Sequence, residues 1–347
     1  FFAKENKEFK NWYLEDTVLD LSNPEVRNYF ENSMKKWILG PDQTFKKNVY
    51  DDGIDGIRYV YYSDKNKEYI ADITENLKQY KPDLLITGEF SNSLTKDIED
   101  GVYDSGADYN IVNNIIKYTV NTNPNYRING VEFASKLNEI YNKYSANRFN
   151  MTQLFIDSLD TDRIFSGMIN PNRVYDRNNQ SNQYLNIRPD LYDGTAVNKV
   201  KRVVSMQMML PATPIIYYGD EKGMWGADSP RNRKPMLWED YEPYEPETDN
   251  ISKYMNRLRS FPNSVEVNEV QKWILYPVNS NSDIENHYRA LLKIRKEHKN
   301  LFKNGKLRIL EVYSDPKTKG RIDSEITAYL ADQNRRAKLY QGRDFTP

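Results

Sequence analysis

The stretch Gly53-Ile54-Asp55-Gly56-Ile57-Arg58-Tyr59-Val60 decides how the rest of the chain is read. It predicts a short buried strand, because Ile54, Ile57, Tyr59 and Val60 are apolar or β-favouring and polar residues close it on both sides. Alternation puts Arg58 and Val60 on one face and Tyr59 and Tyr61 on the other. A guanidinium in such a strand needs an anion, because an unpaired buried charge is costly. The Arg58 face is therefore the expected site face, with Glu89 or Asp160 as the expected partner.

On the N-terminal side, Ser22 or Asn23 caps a helix that Pro24 begins and Gly40-Pro41 stops near Leu39, with Val26, Tyr29, Phe30, Met34 and Trp37 at helical spacing. On the C-terminal side the same unit recurs. A helix over 65–80 precedes a continuous apolar strand over 84–90 that ends in Glu89. A weaker strand over 108–112 is followed by a helix over 130–144, a strand over 151–158, a helix over 195–210 and a strand over 213–218. A further amphipathic helix covers 283–300. Continuous apolar strands separated by helices predict a parallel sheet covered on both faces, with its site at the C-terminal strand ends. From Lys306 the pattern changes to short alternating strands over 307–312 and 325–330. Residues 1–304 are thus expected to form a wound α/β domain and 305–347 the start of a β-domain. The Asn-, Arg- and Asp-rich stretch 170–193 is expected to be an exposed loop.

The composition excludes several functions. Forty-nine basic against 50 acidic residues give a net charge of −1, so the sequence has no electrostatic footprint for nucleic acid or anionic membrane. No apolar run reaches the roughly 20 residues that span a bilayer. The absence of cysteine rules out disulfides and thiolate metal sites but leaves the compartment open. The two histidines, His287 and His298, share one predicted helix far from the acidic strand ends and read as surface or packing residues. Zinc chemistry and a Ser-His-Asp triad are therefore not expected.

Three groups of residues could carry chemistry. Glu89 closes an apolar strand, so it fits a general acid raised by partial burial, a cap for the next helix, or a partner for Arg58. Phe155–Arg163 supplies Asp157, Asp160 and Asp162, which fit either a solvated loop or a site; a calcium loop would also need a glycine and a terminal Glu, which are missing. Tyr217, Tyr218, Trp225 and Trp238 flank Gly219-Asp220-Glu221-Lys222-Gly223, and fit either sugar stacking or packing under a loop.

Together these segments resemble the α-amylase-type glycoside hydrolases, in the neopullulanase and cyclomaltodextrinase branch. Asp55-Gly56-Ile57-Arg58 resembles the family's fourth barrel strand and Gly88-Glu89-Phe90 its acid/base strand. Ser158, Asp160, Thr161 and Arg163 match its S-H-D-T-x-R strand end. Ile215–Gly223 is similar to I-Y-Y-G-D-E-x-G, and Arg233–Trp238 to R-K-P-M-x-W. Asn23–Arg27 has the wording of that branch as well. The resemblance implies a (β/α)8 TIM barrel, of which this chain holds strands four to eight, followed by a C-terminal β-domain. It implies Glu89 as acid/base, Asp160 as the third acid and Arg58 as the group that orients the nucleophile. Tyr109 and Arg163 are implied substrate contacts. Two positions depart from the pattern: Val60 stands where the nucleophilic Asp belongs, and Leu159 replaces a substrate-binding His. A retaining glycosidase needs two carboxyls about 5–5.5 Å apart, and valine cannot attack. Asp64 lies beyond the strand, and Tyr59 and Tyr61 face away.

The sequence therefore predicts an α-glucan-binding relative with impaired catalysis, the alternative being an active retaining hydrolase or transglycosylase that uses Glu89. Neither a cofactor nor a metal is expected. Maltooligosaccharide is the implied ligand. Because an eight-stranded barrel has no edges, the first three strands are expected from an N-terminal segment or a companion chain. The chain starts Phe1-Phe2-Ala3, as expected of a processed or truncated start.

Overall fold

A computed structural model of the protein describes residues 20–40, 53–59, 67–89, 94–119, 127–145, 148–170, 195–226, 231–233, 235–238, 244–246, 275–277, 280–314, 324–331 and 336–341. Val60, Tyr61, Asp64, and all but the first residue of the 170–193 stretch lie outside them. The chain forms two compact units, Phe1–Asp108 and Tyr109–Pro347.

In the first unit, α1 (Pro24–Leu39) starts where Asn23 caps it, its side chain accepting from the Glu25 N–H at 2.9 Å. Proline at the first position is already set to helical φ, and Gly40 at φ 71 ends the helix. Arg27 and Glu31 turn toward Asp72 and Asn76 of α2 (Lys67–Tyr80). Tyr29 and Trp37, expected on the buried stripe, are instead exposed, because they lie off the side of α1 that meets α2.

Gly53 then turns the chain into β1 (Gly56–Tyr59). Its φ of +84 suits glycine, and a Cβ there would lie 2.3 Å from the Trp37 carbonyl, which the neighbouring Ile54 N–H bonds at 2.9 Å. Buried Lys81 fixes the same entry, donating to the Ile54 carbonyl at 3.0 Å and to Asp55 at 2.8 Å. Strand β1 runs parallel to β2 (Leu85–Glu89), with Arg58 beside Thr87 and Tyr59 beside Gly88. Strand β2 runs parallel to β3 (Ser105–Ala107), and α3 (Leu94–Glu99) connects them. Asp104 holds this junction, accepting from Ile86 N–H at 2.8 Å and from Lys78 at 2.7 Å. β1 is not the fully buried strand expected: Ile57 and Tyr59 are half-buried, and Gly56 and Arg58 are exposed. Among the described residues it pairs on one side only, with β2.

The second unit opens with α4 (Tyr109–Thr119), which overturns the strand expected over 108–112. Ile111, Val112, Ile115 and Ile116 are all buried, a spacing of one helical face. The strand is instead the small-residue triplet of β3. After α5 (Gly130–Tyr141) and the single turn α6 (Arg148–Met151), β4 (Gln153–Phe155) runs parallel to β5 (Thr213–Ile215). Both strands are shorter than expected, because Asp157–Ser158 and Tyr217–Tyr218 have left the ladder to form the site loops. Between them lie α7 (Ile164–Ile169) and α8 (Thr195–Met209). A short antiparallel pair, β6 (Tyr244–Pro246) with β7 (Leu275–Pro277), goes beyond the expected elements.

Helices α9 (Ser282–Glu297) and α10 (Lys299–Asn304) follow in this unit. Arg295 of α9 donates to the carbonyls of Met208, Leu210 and Ala212, at 2.7 to 3.0 Å, pinning the turn from α8 into β5. His287 packs between the Ser205 hydroxyl (2.9 Å) and the Lys201 carbonyl (3.0 Å), and burial pushes its pKa down. Asn150 caps α10 by donating to the carbonyls of Phe302, Lys303 and Gly305. Beyond it β8 (Lys306–Ser314), β9 (Ser324–Ala331) and β10 (Arg336–Gln341) form an antiparallel sheet, one strand more than the sequence pattern indicates.

Candidate active site

Arg58 and Glu89 meet because of sheet geometry. Arg58 stands beside Thr87 in the parallel register, and Glu89, two residues on, points to the same face. Arg58 Nη2 lies 2.8 Å from Glu89 Oε2. The pair is lopsided: the Glu89 side chain is 2% exposed and the Arg58 side chain 43%. The carboxylate sits in the wall while the guanidinium reaches it from the solvent side. Such an arrangement satisfies the acid and leaves the cation partly hydrated. Beneath them Tyr59 packs edge-on against Tyr103, with centroids 6.3 Å apart.

In the second unit, the segment after β4 carries Leu159, Asp160 and Arg163. The Asp160 N–H is held by the Ser158 hydroxyl at 3.1 Å, and the Ser158 N–H by the Thr161 hydroxyl at 2.8 Å. Arg233 approaches Asp160 at 3.4 Å and donates to the Leu159 carbonyl at 3.0 Å. Leu159 is 40% exposed, so the position that the resemblance gives to a histidine shows an apolar side chain to solvent. Tyr109, at the start of α4, is half-buried and packs edge-on against Phe155, with centroids 4.4 Å apart.

Arg163 is not where a substrate contact would be. It is 0% exposed. Its Nη1 donates to the Tyr218 carbonyl at 2.8 Å and to Asp220 at 3.1 Å, and its Nε donates to the Asn232 carbonyl at 3.0 Å. The rings of Tyr217 and Tyr218 cover the guanidinium at 4.5 and 4.8 Å. Arg163 therefore supports the site from beneath, and a sugar has no access to it.

This support includes Asn232, which the sequence does not single out, and two acids, Asp157 and Asp220, whose burial it does not show. Asn232, fully buried, donates to the carbonyls of Leu159 (2.7 Å) and Thr161 (2.8 Å). Asp157 and Asp220 are also buried, and each carboxyl acts on the titration of the other. Burial pushes Asp157 up, and burial together with the charge of Asp157 pushes Asp220 well above the usual carboxylate range. Burial, then the Tyr218 hydroxyl, pushes Tyr217 up. The available signals are the position of Asp157 directly after an apolar run and of Asp220 directly after a glycine. Neither reveals burial by itself.

Comparison with known proteins gives the family. The profile of the α-amylase catalytic domain matches residues 5–305. Neopullulanase 2 of Thermoactinomyces vulgaris is 25% identical over 224 residues, 65% of this chain and 31% of that protein. Cyclomaltodextrinase of Geobacillus thermopakistaniensis is 23% identical over 236 residues, 68% of this chain and 32% of that protein. The chain thus spans about a third of the length of these two relatives. Among solved structures, an α-amylase from H. orenii superposes with a TM-score of 0.61 at 20% identity, over 94% of this chain and 56% of that one. A cyclic maltosyl-maltose hydrolase from Arthrobacter globiformis superposes with a TM-score of 0.59 at 18% identity, over 91% of this chain and 52% of that one. The five parallel strands β1 to β5 accordingly belong to a (β/α)8 barrel fold. With its catalytic-domain profile covering most of its length, this chain belongs to the α-amylase family, in the neopullulanase- and cyclomaltodextrinase-like branch.

Proposed function

We propose that this chain is a carbohydrate-metabolism protein that binds α-glucan and is impaired in hydrolysing it. The observation that carries this reading is the ion pair of Arg58 with Glu89. In the family pattern the arginine orients a carboxylate nucleophile, and here the sequence has Val60 at that position. Without that anion, Arg58 takes the acid/base candidate as its partner. The two-carboxylate mechanism then lacks one member, and the other is engaged by a cation.

The ligand class follows from the relatives. The names neopullulanase, cyclomaltodextrinase and α-amylase describe enzymes of α-glucans, and one superposed structure is a complex with maltose. Exposed Tyr218, Trp238 and Leu159 supply apolar surface for sugar faces in the second unit. At position 159, however, leucine offers no hydrogen bond to a hydroxyl, and each unmet polar group at a sugar site lowers affinity.

Maltoheptaose titrated calorimetrically is therefore expected to bind saturably but weakly, with Kd in the millimolar range, about −4 kcal/mol. Asp160→Asn should change this little, because Arg233 already occupies that carboxylate. Micromolar binding that Asp160→Asn abolishes would contradict the weakened site, and no saturable binding would contradict the glucan assignment.

A further inference from the structure

The buried carboxyl pair of the second unit is not used by the reading above. Asp157 lies behind β4 and Asp220 behind β5, and each is 1% exposed. One oxygen of each has a donor. Asp157 Oδ2 accepts the Ile164 N–H at 2.6 Å, at the start of α7. Asp220 Oδ1 accepts from Arg163 at 3.1 Å. The remaining oxygens, Asp157 Oδ1 and Asp220 Oδ2, are buried and receive no hydrogen bond from an N–H or hydroxyl of the described residues. A carboxylate oxygen only accepts, so two neighbouring carboxyls whose remaining oxygens are buried without a donor are relieved when one of them holds a proton.

Charge balance leads to the same result. Among the described residues Arg163, fully buried, is the cation paired with Asp220, and its charge also reaches Asp157. Around it stand Tyr217 and Tyr218 on the β5 loop, Glu221 on the following turn, Asp162 on the β4 loop and Tyr288 from α9. None of these adds a positive charge. Two ionised aspartates would leave an uncompensated buried anion, whereas one ionised and one protonated aspartate make a neutral set with Arg163.

We propose that Asp157 and Asp220 share a single proton and, with Arg163, form a neutral lock that holds the site loops in register and loosens when the proton leaves. The connections are direct. Arg163 holds the Tyr218 and Asn232 carbonyls, and Asn232 in turn holds those of Leu159 and Thr161. Losing the proton sets two negative charges against each other and pushes the β4 and β5 loops apart at the segment that carries Leu159 and Asp160. The lock is independent of whether the site binds or cleaves glucan.

The raised acid pKa sets the sign. Between the ordinary aspartate value, about 3.9, and the raised value of the pair, the folded chain holds a proton that the unfolded chain has lost. Stability is greatest at the acid end of this window and falls as pH rises through it, by up to about tenfold in the folding constant per pH unit.

The test uses the full chain. Isotope-edited infrared spectroscopy with labelled aspartate at neutral pH should show a protonated buried carboxyl. That band should vanish in Asp157→Asn and in Asp220→Asn but persist in Asp160→Asn. Denaturant titrations from about pH 4 upward should give a falling folding constant for the wild type and a flat one for Asp220→Asn, whose amide replaces the shared proton. The double variant Asp157→Asn/Asp220→Asn strands Arg163 and should lose at least about a hundredfold more than the two single changes together. A wild type without the protonated band, or single variants that keep the wild-type slope, would overturn the proposal. Should a variant not fold, the wild-type spectrum decides alone.

Discussion

Arg163→Met is expected to cost about 3–5 kcal/mol of folding free energy, the range for removing one partner from a buried charge set. The side chain is wholly buried, so solvent does not replace what is lost. The substitution removes the guanidinium donor from the Tyr218 and Asn232 carbonyls, the latter keeping the Tyr217 hydroxyl, and takes the ion-pair partner from Asp220. Methionine fills the volume between the tyrosine rings but returns none of the hydrogen bonds. Arg163→Lys should recover little, because one ammonium cannot reach in all the directions that the planar fork serves. Adding Asp220→Asn to Arg163→Met should recover part of the loss by removing the stranded charge, so the two changes should be non-additive. Since a domain is commonly stable by only about 5–15 kcal/mol, the single variant should unfold well before the wild type in urea. A loss below about 1 kcal/mol, at the level of an ordinary surface change, would show that the network does not hold this unit together.

The other large effect is expected on activity. Val60→Asp with Leu159→His reinstates both residues that depart from the family pattern. The new carboxylate competes with Glu89 for Arg58, so one change supplies a nucleophile and frees the acid/base candidate. A positioned acid–base group typically contributes about 10²–10⁴-fold. Maltooligosaccharide turnover should therefore rise at least about a hundredfold over the wild type. The gain must depend on Glu89: the same two substitutions made on a Glu89→Gln background should fall back to the wild-type level. A gain that survives Glu89→Gln would mean that a different carboxylate protonates the leaving group.

Much of the fold is legible in the sequence. Val26, Ile70, Ile73 and Leu77 announce their helices by spacing, and Ile86 sits in a strand whose apolar run is continuous. The Arg58–Glu89 pair can be anticipated, because strand alternation decides which side chains share a face. The family is legible from short segments in a set order. What is not legible depends on contacts distant in sequence. Ser105-Gly106-Ala107 has no β-branched residue, and it becomes a strand because β2 lies beside it. Tyr109 and Asn110 look like a strand lead-in until Ile111, Val112, Ile115 and Ile116 are seen buried together. Asp157 and Asp162 sit in a stretch so rich in acids that a solvated loop is the simpler reading. Both are nevertheless buried, and no local pattern reports the packing that buries them. Arg163 misleads for the same reason: its motif marks its importance, but not on which side of the surface it lies.

Whether the proposed loss of chemistry holds is decided by sugar release from maltoheptaose, measured side by side for the wild type and Glu89→Gln. Both preparations should give the same near-background rate, since with valine at position 60 the proposed reading leaves Glu89 without a nucleophile. Turnover well above background in the wild type that is lost in Glu89→Gln would contradict it, and would identify a working glycosidase in which another carboxylate replaces the missing one.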